Sequence, residues 1–207
     1  MKPSHFMKGF LAFVGCIALS FQGHGQGQLS FHNSSSTLIL ANGTPMPVSG
    51  TQQFIFALFL APSTRVSSTN LVASYSDPAF QTVSAYNTNS AIAVGRIENQ
   101  LLLDMGLPVG ALVDFVVRGW SANAGTTWDE ARTSWNNGNP LVPMFIGSSV
   151  IGNDFFLGGG VSPVGSVFGS SARQVPGFNM TFVPEPSTLT LAGLGLAAMW
   201  LLRRRSH

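Results

Sequence analysis

Few side chains in this 207-residue chain combine the chemistry and the spacing of a reactive site. Of four histidines, His5 and His24 lie near the N-terminus and His207 is the last residue, so His32 stands alone in the body of the chain. A Ser-His-Asp triad would have to be built on His32, and no nucleophile-elbow motif accompanies it. One histidine is too few for a His-based metal site. The only cysteine, Cys16, falls in an N-terminal apolar run, which excludes disulfides, Cys-ligated zinc and a Cys nucleophile from the body of the chain. Two carboxylates would suffice for a glycosidase pair. The adjacent Asp129 and Glu130, however, project about 100° apart on a helix and do not converge. At a helix start they favour the positive end of the dipole instead. No Asp-x-Asp-x-Asp-Gly calcium loop occurs. The Gly-rich stretch 158–170 lacks the spacing of a phosphate loop and reads as a mobile surface loop. The sequence thus predicts no catalytic residue, no metal and no cofactor.

The aromatic residues offer a different chemistry. Trp120, Trp128 and Trp135, with Tyr75 and Tyr86, are candidates for a flat platform on which sugar rings stack. Core packing competes with that reading and is favoured, because Trp128 and Trp135 sit at core-helix spacing. Asn33-Ser34-Ser35, Asn42-Gly43-Thr44 and Asn179-Met180-Thr181 match the N-glycosylation pattern, a chance match in a chain so rich in Ser, Thr and Asn.

Composition narrows the classes further. Hydrophobic residues make up 45% of the chain and charged residues only 9%, against a usual charged share of about 25%. The net charge of +2 arises at the ends, from Lys2, Lys8 and Arg203 to Arg205. Between residues 29 and 182 stand five arginines, no lysine and seven carboxylates, a net charge of −2. Nucleic-acid binding needs a dense cationic face, so nucleic acid is excluded as a partner.

The elements that must carry these residues read as strands. Short apolar runs punctuated by Gly, Pro, Asn and Ser predict strands near 29–32, 37–40, 54–60, 71–75, 91–97, 111–120, 141–146, 155–157 and 178–182. Residues 54–60 are apolar on both faces, as in a strand covered on both sides. In 111–120, Val113, Phe115 and Val117 alternate with Asp114 and Arg118, which predicts a half-buried strand. One helix stands out: Thr127 caps it, Glu130 completes a capping box, and Trp128, Ala131 and Trp135 share a face. The expectation is an all-β fold, a single β-sandwich or jelly-roll-like domain over residues 28–182 with one short helix.

Both ends read as addresses rather than fold. Lys2 and Lys8 precede an apolar run over 9–21, the pattern of a secretory signal peptide over residues 1–27. Small residues place the cut before Gln26 or before Gln28. Such a segment engages the Sec translocon and signal peptidase. At the other end, Pro184-Glu185-Pro186 precedes an apolar run of 16 residues, 187–202, followed by Arg203, Arg204 and Arg205. As a helix this run is about 24 Å long, short of the roughly 20 residues of a full span. Local thinning and snorkelling arginines close such a gap at modest cost. Trp200 suits the interface, and the arginines hold the C-terminus in the cytoplasm. The prediction is a transmembrane helix over 187–202, with the middle of the chain outside the inner membrane.

Pro-Glu-Pro, a short apolar helix and a terminal arginine cluster resemble the PEP-CTERM sorting signal of Gram-negative bacteria, here over residues 183–207. The resemblance implies recognition of Pro184, Glu185 and Pro186, and removal of the tail, by an exosortase, a membrane-embedded cysteine transpeptidase-like enzyme. It also implies an exopolysaccharide-producing, biofilm-forming lifestyle. The two prolines keep the stretch extended and outside the helix. The resulting expectation is a non-enzymatic exported protein, anchored transiently in the inner membrane and then delivered to the cell surface or extracellular matrix. The alternative is a carbohydrate-binding module of the exopolysaccharide matrix.

Overall fold

The most apolar run of the chain forms the spine of the domain. In the computed structural model, which describes residues 26–63, 71–98, 102–138, 140–185, 191–197, 199 and 203, this run is strand β4 (Phe54–Pro62). It pairs antiparallel with β7 (Leu112–Ser121) over nine positions, from Phe54 opposite Ser121 to Pro62 opposite Val113. The remaining strands are β1 (Gln26–Leu29), β2 (Leu40–Ala41), β3 (Thr44–Pro45), β5 (Val83–Thr88), β6 (Leu103–Pro108), β8 (Met144–Ser148), β9 (Gly152–Phe156) and β10 (Asn179–Val183). Eight of them form one sheet in the order β3-β2-β10-β8-β7-β4-β5, with β9 also on β7, while β1 and β6 form a separate two-stranded sheet. The fold is all-β as expected. The layers are unequal, however: one large sheet dominates, and the second sheet is a single strand pair.

Strand alternation divides β4 between two cores. Phe54, Phe56 and Leu58 join Val113, Phe115, Val117 and Met180 on one face, under Leu29, Phe31, Leu157, Val167 and Val175. Ile55, Ala57 and Phe59 join Val116 and Trp120 on the other, under Phe80, Trp128 and Ala131. Each fully buried Phe side chain contributes about 1.5–3 kcal/mol. Because both faces are covered, β7 is not the half-buried strand its charges predict. Asp114 is 1% exposed and Arg118 0%.

The edge of β7 opposite β4 is shared. β8 pairs with Arg118–Trp120 and β9 with Leu112–Phe115, both antiparallel, so β8 and β9 behave as one strand with a break between them. Ser149 carries the ladder across the break. Its N–H donates to the Val117 carbonyl at 2.8 Å, and its Oγ accepts from the Val117 N–H at 3.0 Å. A second register shift follows beside Asp154, a non-glycine residue at φ 50°, whose N–H donates to Asp114 Oδ1 at 3.0 Å. Opposite each other across β7 and β8 sit Gly119 and Gly147. A Cβ on Gly119 would lie 2.6 Å from the Phe56 ring and 3.0 Å from Met180 Sδ, so the sheet closes here only without side chains.

Three sequence expectations are corrected. Residues 71–75 and 91–97 are not strands; they contribute only the isolated bridges Val72–Val150 and Asn89–Ile97. The polar β5 and the Gly- and Pro-containing β6 take their places in the ladders. The Gly-rich stretch 158–170 is not a free surface loop. Gly158 exchanges two hydrogen bonds with Gln28 at 2.8 and 3.0 Å, Gly165 accepts from Ser30 at 2.9 Å, and Val167 is fully buried.

The helix forms as predicted. α1 (Trp128–Trp135) is capped by Thr127, whose hydroxyl accepts from the Glu130 N–H, while the Glu130 side chain accepts from the cap backbone. Asn136 ends it in the left-handed conformation. The expected signal peptide lies, except for Gln26 and Gly27, outside the described residues.

Candidate functional site

The sorting tail grows directly out of the sheet. β10 lies between β2 and β8 and pairs with both, parallel to β2 and antiparallel to β8. Its last positions are held on both sides: the Phe182 N–H donates to Asn42 Oδ1 at 2.9 Å, and Val183 stands opposite Met144. The Phe182 ring packs on Phe145 with centroids 5.2 Å apart. Pro184 follows at once, and a residue without an N–H ends the ladder. Pro184 and Glu185 are half-buried and belong to no helix or strand. Pro186, the third residue of the candidate motif, lies outside the described residues, as do Arg204 and Arg205. Residues 191–197, Met199 and Arg203 are helical. Leu191, Leu194, Leu196 and Met199 are all more than 60% exposed, so the described part of this helix leaves its apolar side chains uncovered. Among the described residues, no helix is long and apolar enough to cross a membrane.

The tryptophans of the aromatic candidate do not form a platform. Trp120 and Trp128 are 0% and 1% exposed, with ring centroids 5.7 Å apart, and present no face to a ligand. Trp135 is half-buried and meets the edge of Tyr75 at 4.7 Å. Tyr86 is 42% exposed, but its hydroxyl accepts from the backbone N–H of Trp128 at 3.0 Å. These rings instead surround a cation that the alternation of β7 concealed. The Arg118 guanidinium lies 4.6 Å from the ring centroids of both Phe59 and Trp128 and 5.7 Å from that of Tyr75. Its terminal nitrogens donate to the carbonyls of Phe80 and Ser74, each at 2.8 Å. Burial pushes Arg118 down to about 10, with Tyr75 and Asp77 pulling the other way. Burial likewise pushes the Tyr75 hydroxyl up to about 12, and Arg118 opposes that shift. The arrangement fastens the segment 74–80 to the sheet; it exposes no reactive group.

The other candidate residues are also accounted for. His32 Nδ1 lies 2.6 Å from Ser30 Oγ, two residues away on the same segment. Asp129 is exposed and pairs with Arg132 at 3.5 Å. The Glu130 carboxylate accepts from the N–H groups of Thr126 and Thr127 at 2.7 and 3.1 Å. Those backbone bonds hold it below the usual carboxylate range. Among the described residues no three His, Cys, Asp or Glu side chains are placed to share a metal ion. Asn33, in the first glycosylation-like triplet, is 1% exposed. Its amide donates to the carbonyls of Thr37 and Gly95 and accepts from the Ile97 N–H, all at 2.8 Å. It is a structural residue, and a single sequence carries no signal for that role.

A Pro-Glu segment is thus set on the end of the last described strand. Residues 182–205 match the family model of the PEP-CTERM protein-sorting motif, and the chain therefore carries that sorting signal. The signal supports an exosortase-targeted, exported protein. No curated protein and no solved structure matches the chain.

Proposed function

We propose that this is a non-enzymatic protein of the cell surface or extracellular matrix, delivered there by exosortase processing of its C-terminal signal. Residues 1–27 act as a cleaved signal peptide through the Sec translocon and signal peptidase. Residues 28–182 form the exported domain. Residues 187–202 hold the chain in the inner membrane of a Gram-negative cell until Pro184, Glu185 and Pro186 are recognised, with Arg203, Arg204 and Arg205 on the cytoplasmic side. The observation that carries the reading is the sorting motif itself, matched at residues 182–205 and continuous with β10. The uncovered leucines at 191, 194 and 196 support it, because an apolar helix surface left without protein cover suits lipid. Of the two cuts, the one before Gln26 would keep the whole of β1, and the one before Gln28, at the end of residues 1–27, would leave Gln28 and Leu29 of it.

The non-enzymatic part rests on the residue inventory, a solitary His32 and a thiol only at Cys16. The matrix would be exopolysaccharide, with the domain acting as a structural component within it. Deleting residues 184–207 tests the reading. Surface delivery should be lost and the domain should accumulate in the periplasm; an unchanged surface yield would refute it. A broad glycosidase and esterase screen of the exported protein should find no turnover.

A further inference from the structure

The tail leaves the domain at one end of the large sheet, and the connections at that end are uncharged. Val183 is paired with Met144, Trp120 with Ile146 and Phe54 with Ser121. The end of β10, the start of β8, the end of β7 and the start of β4 therefore lie at one level. Four connections surround them, over residues 41–53, 88–95, 121–127 and 136–143, and none contains Lys, Arg, Asp or Glu. Hydrogen bonds join these connections into one rim. Asn42 accepts from Phe182 at 2.9 Å. The Asn89 amide donates to the carbonyls of Pro47 and Gln52, both at 2.8 Å. The Ala122 N–H donates to the Gln53 carbonyl at 2.9 Å, and the Asn123 amide donates to the Pro143 carbonyl at 2.6 Å. Ile92, Leu141 and Val94 project from the rim at 93%, 64% and 55% exposure. Charges stand at its margin, where Asp129 is exposed beside Arg132 and Glu185 follows the end of β10. Glu130 is turned onto Thr126 and Thr127, Glu98 accepts from the Ala91 N–H at 3.3 Å, and Arg96 closes the 88–95 connection.

We infer that this rim is a membrane-resting face, seated by Ile92, Val94 and Leu141 on the surface of the bilayer that the tail enters. The inference rests on the anchoring reading given above. Its first support is reach. Leu191 lies eight positions beyond Val183, at most about 28 Å of extended chain. β7 alone is ten residues long, about 33 Å, so the tether holds the rim end near the lipid and the opposite end a strand's length away. The second support is chemistry. Apolar side chains on an uncharged support enter the headgroup boundary without stripping water from ions. The opposite end also exposes apolar residues, Val161 in a turn and Leu112 and Phe156 on β7 and β9, but these strands carry Asp114 and Asp154, and β6 carries Asp104.

The test uses the full chain with Cys16→Ser and one new cysteine at a time, I92C, L141C, V161C or M199C, all at exposed positions. Each is labelled with a polarity-sensitive fluorophore and reconstituted into phosphatidylethanolamine/phosphatidylglycerol vesicles with or without nitroxide-labelled lipid. The expected result is blue-shifted, lipid-quenched emission at 92, 141 and 199, and unquenched emission at 161. Quenching at 199 with 92 and 141 as unquenched as 161 overturns the resting face and leaves the anchor standing. Equal quenching at 92, 141 and 161 also overturns it, because no face is then preferred. Absence of quenching at 199 overturns the anchor and the resting face together.

Discussion

Arg118→Met would remove the guanidinium from the aromatic surround while keeping most of the apolar stem. Two donors at 2.8 Å from the Phe80 and Ser74 carbonyls are lost, and hydrogen bonds from charged groups contribute about 1.5–3 kcal/mol each. The stacks on Phe59 and Trp128 add about 0.5–2 kcal/mol each. Against this stands the cost of a buried cation, visible in the lowered Arg118 value and in an Nε without a partner. Replacing a whole buried ionic group by apolar residues is often neutral or stabilising. Here only the donor is replaced. Ser74 is exposed, so its carbonyl can turn to water, but Phe80 is fully buried. The balance is a loss of about 2–3 kcal/mol, most of it the lost charged donor to the buried Phe80. In a domain of this size that is a fall in Tm of about 4–12 °C. Arg118→Lys should fall between the two, since an ammonium has neither the fork nor the plane. Urea unfolding followed by far-ultraviolet circular dichroism measures the change, with m unaltered. An Arg118→Met protein as stable as the parent would refute the reasoning, because the guanidinium would then be no net fastener of the segment 74–80.

Three further outcomes follow from the same core. Burial raises the Tyr75 hydroxyl from 10.0 to about 12, so its contribution to stability is complete below pH 10 and is lost as pH rises through 12. An ultraviolet absorbance titration should show one tyrosine ionising late, a phase that Tyr75→Phe abolishes and urea returns to the ordinary value. Thr127→Ala removes the oxygen that accepts the Glu130 N–H and should destabilise the protein by about 1 kcal/mol, read as a lowered urea midpoint. Gly119→Ala forces a methyl against the Phe56 ring and Met180 and should cost about 1–3 kcal/mol, read by the same denaturation.

The sequence made some of this structure legible and hid the rest for identifiable reasons. Strand β4 shows itself because seven consecutive apolar residues leave neither face for water, and α1 because Thr127 and Glu130 fix its start locally. β5 and β6 were hidden. Val-Ser-Ala-Tyr-Asn-Thr lies at a sheet edge where polar residues are tolerated, and Leu-Asp-Met-Gly-Leu-Pro carries residues that usually mark turns. Segment 71–75 reads as a strand from its apolar run, but Leu71 and Val72 are exposed and the Ser74 carbonyl is taken by Arg118 rather than by a ladder. The burial of Arg118 is not legible, because alternation assigns a charge to solvent unless distant residues (here 59, 74, 75, 80 and 128) cover it. The sorting signal was legible because its parts are contiguous. The rim beside it was not, because four separate connections meet there only after the sheet has formed.

β10 occupies an interior place in the large sheet although it is the last strand of the domain in the chain. Synthesis runs from the N-terminus, so the gap between β2 and β8 stays open until residue 183 has been delivered. Completion of the domain and appearance of Pro184 thus fall at the same moment in the chain's history. Trimming after Val183 would leave every rung of the ladder intact, whereas trimming a few residues earlier would pull out a central stave.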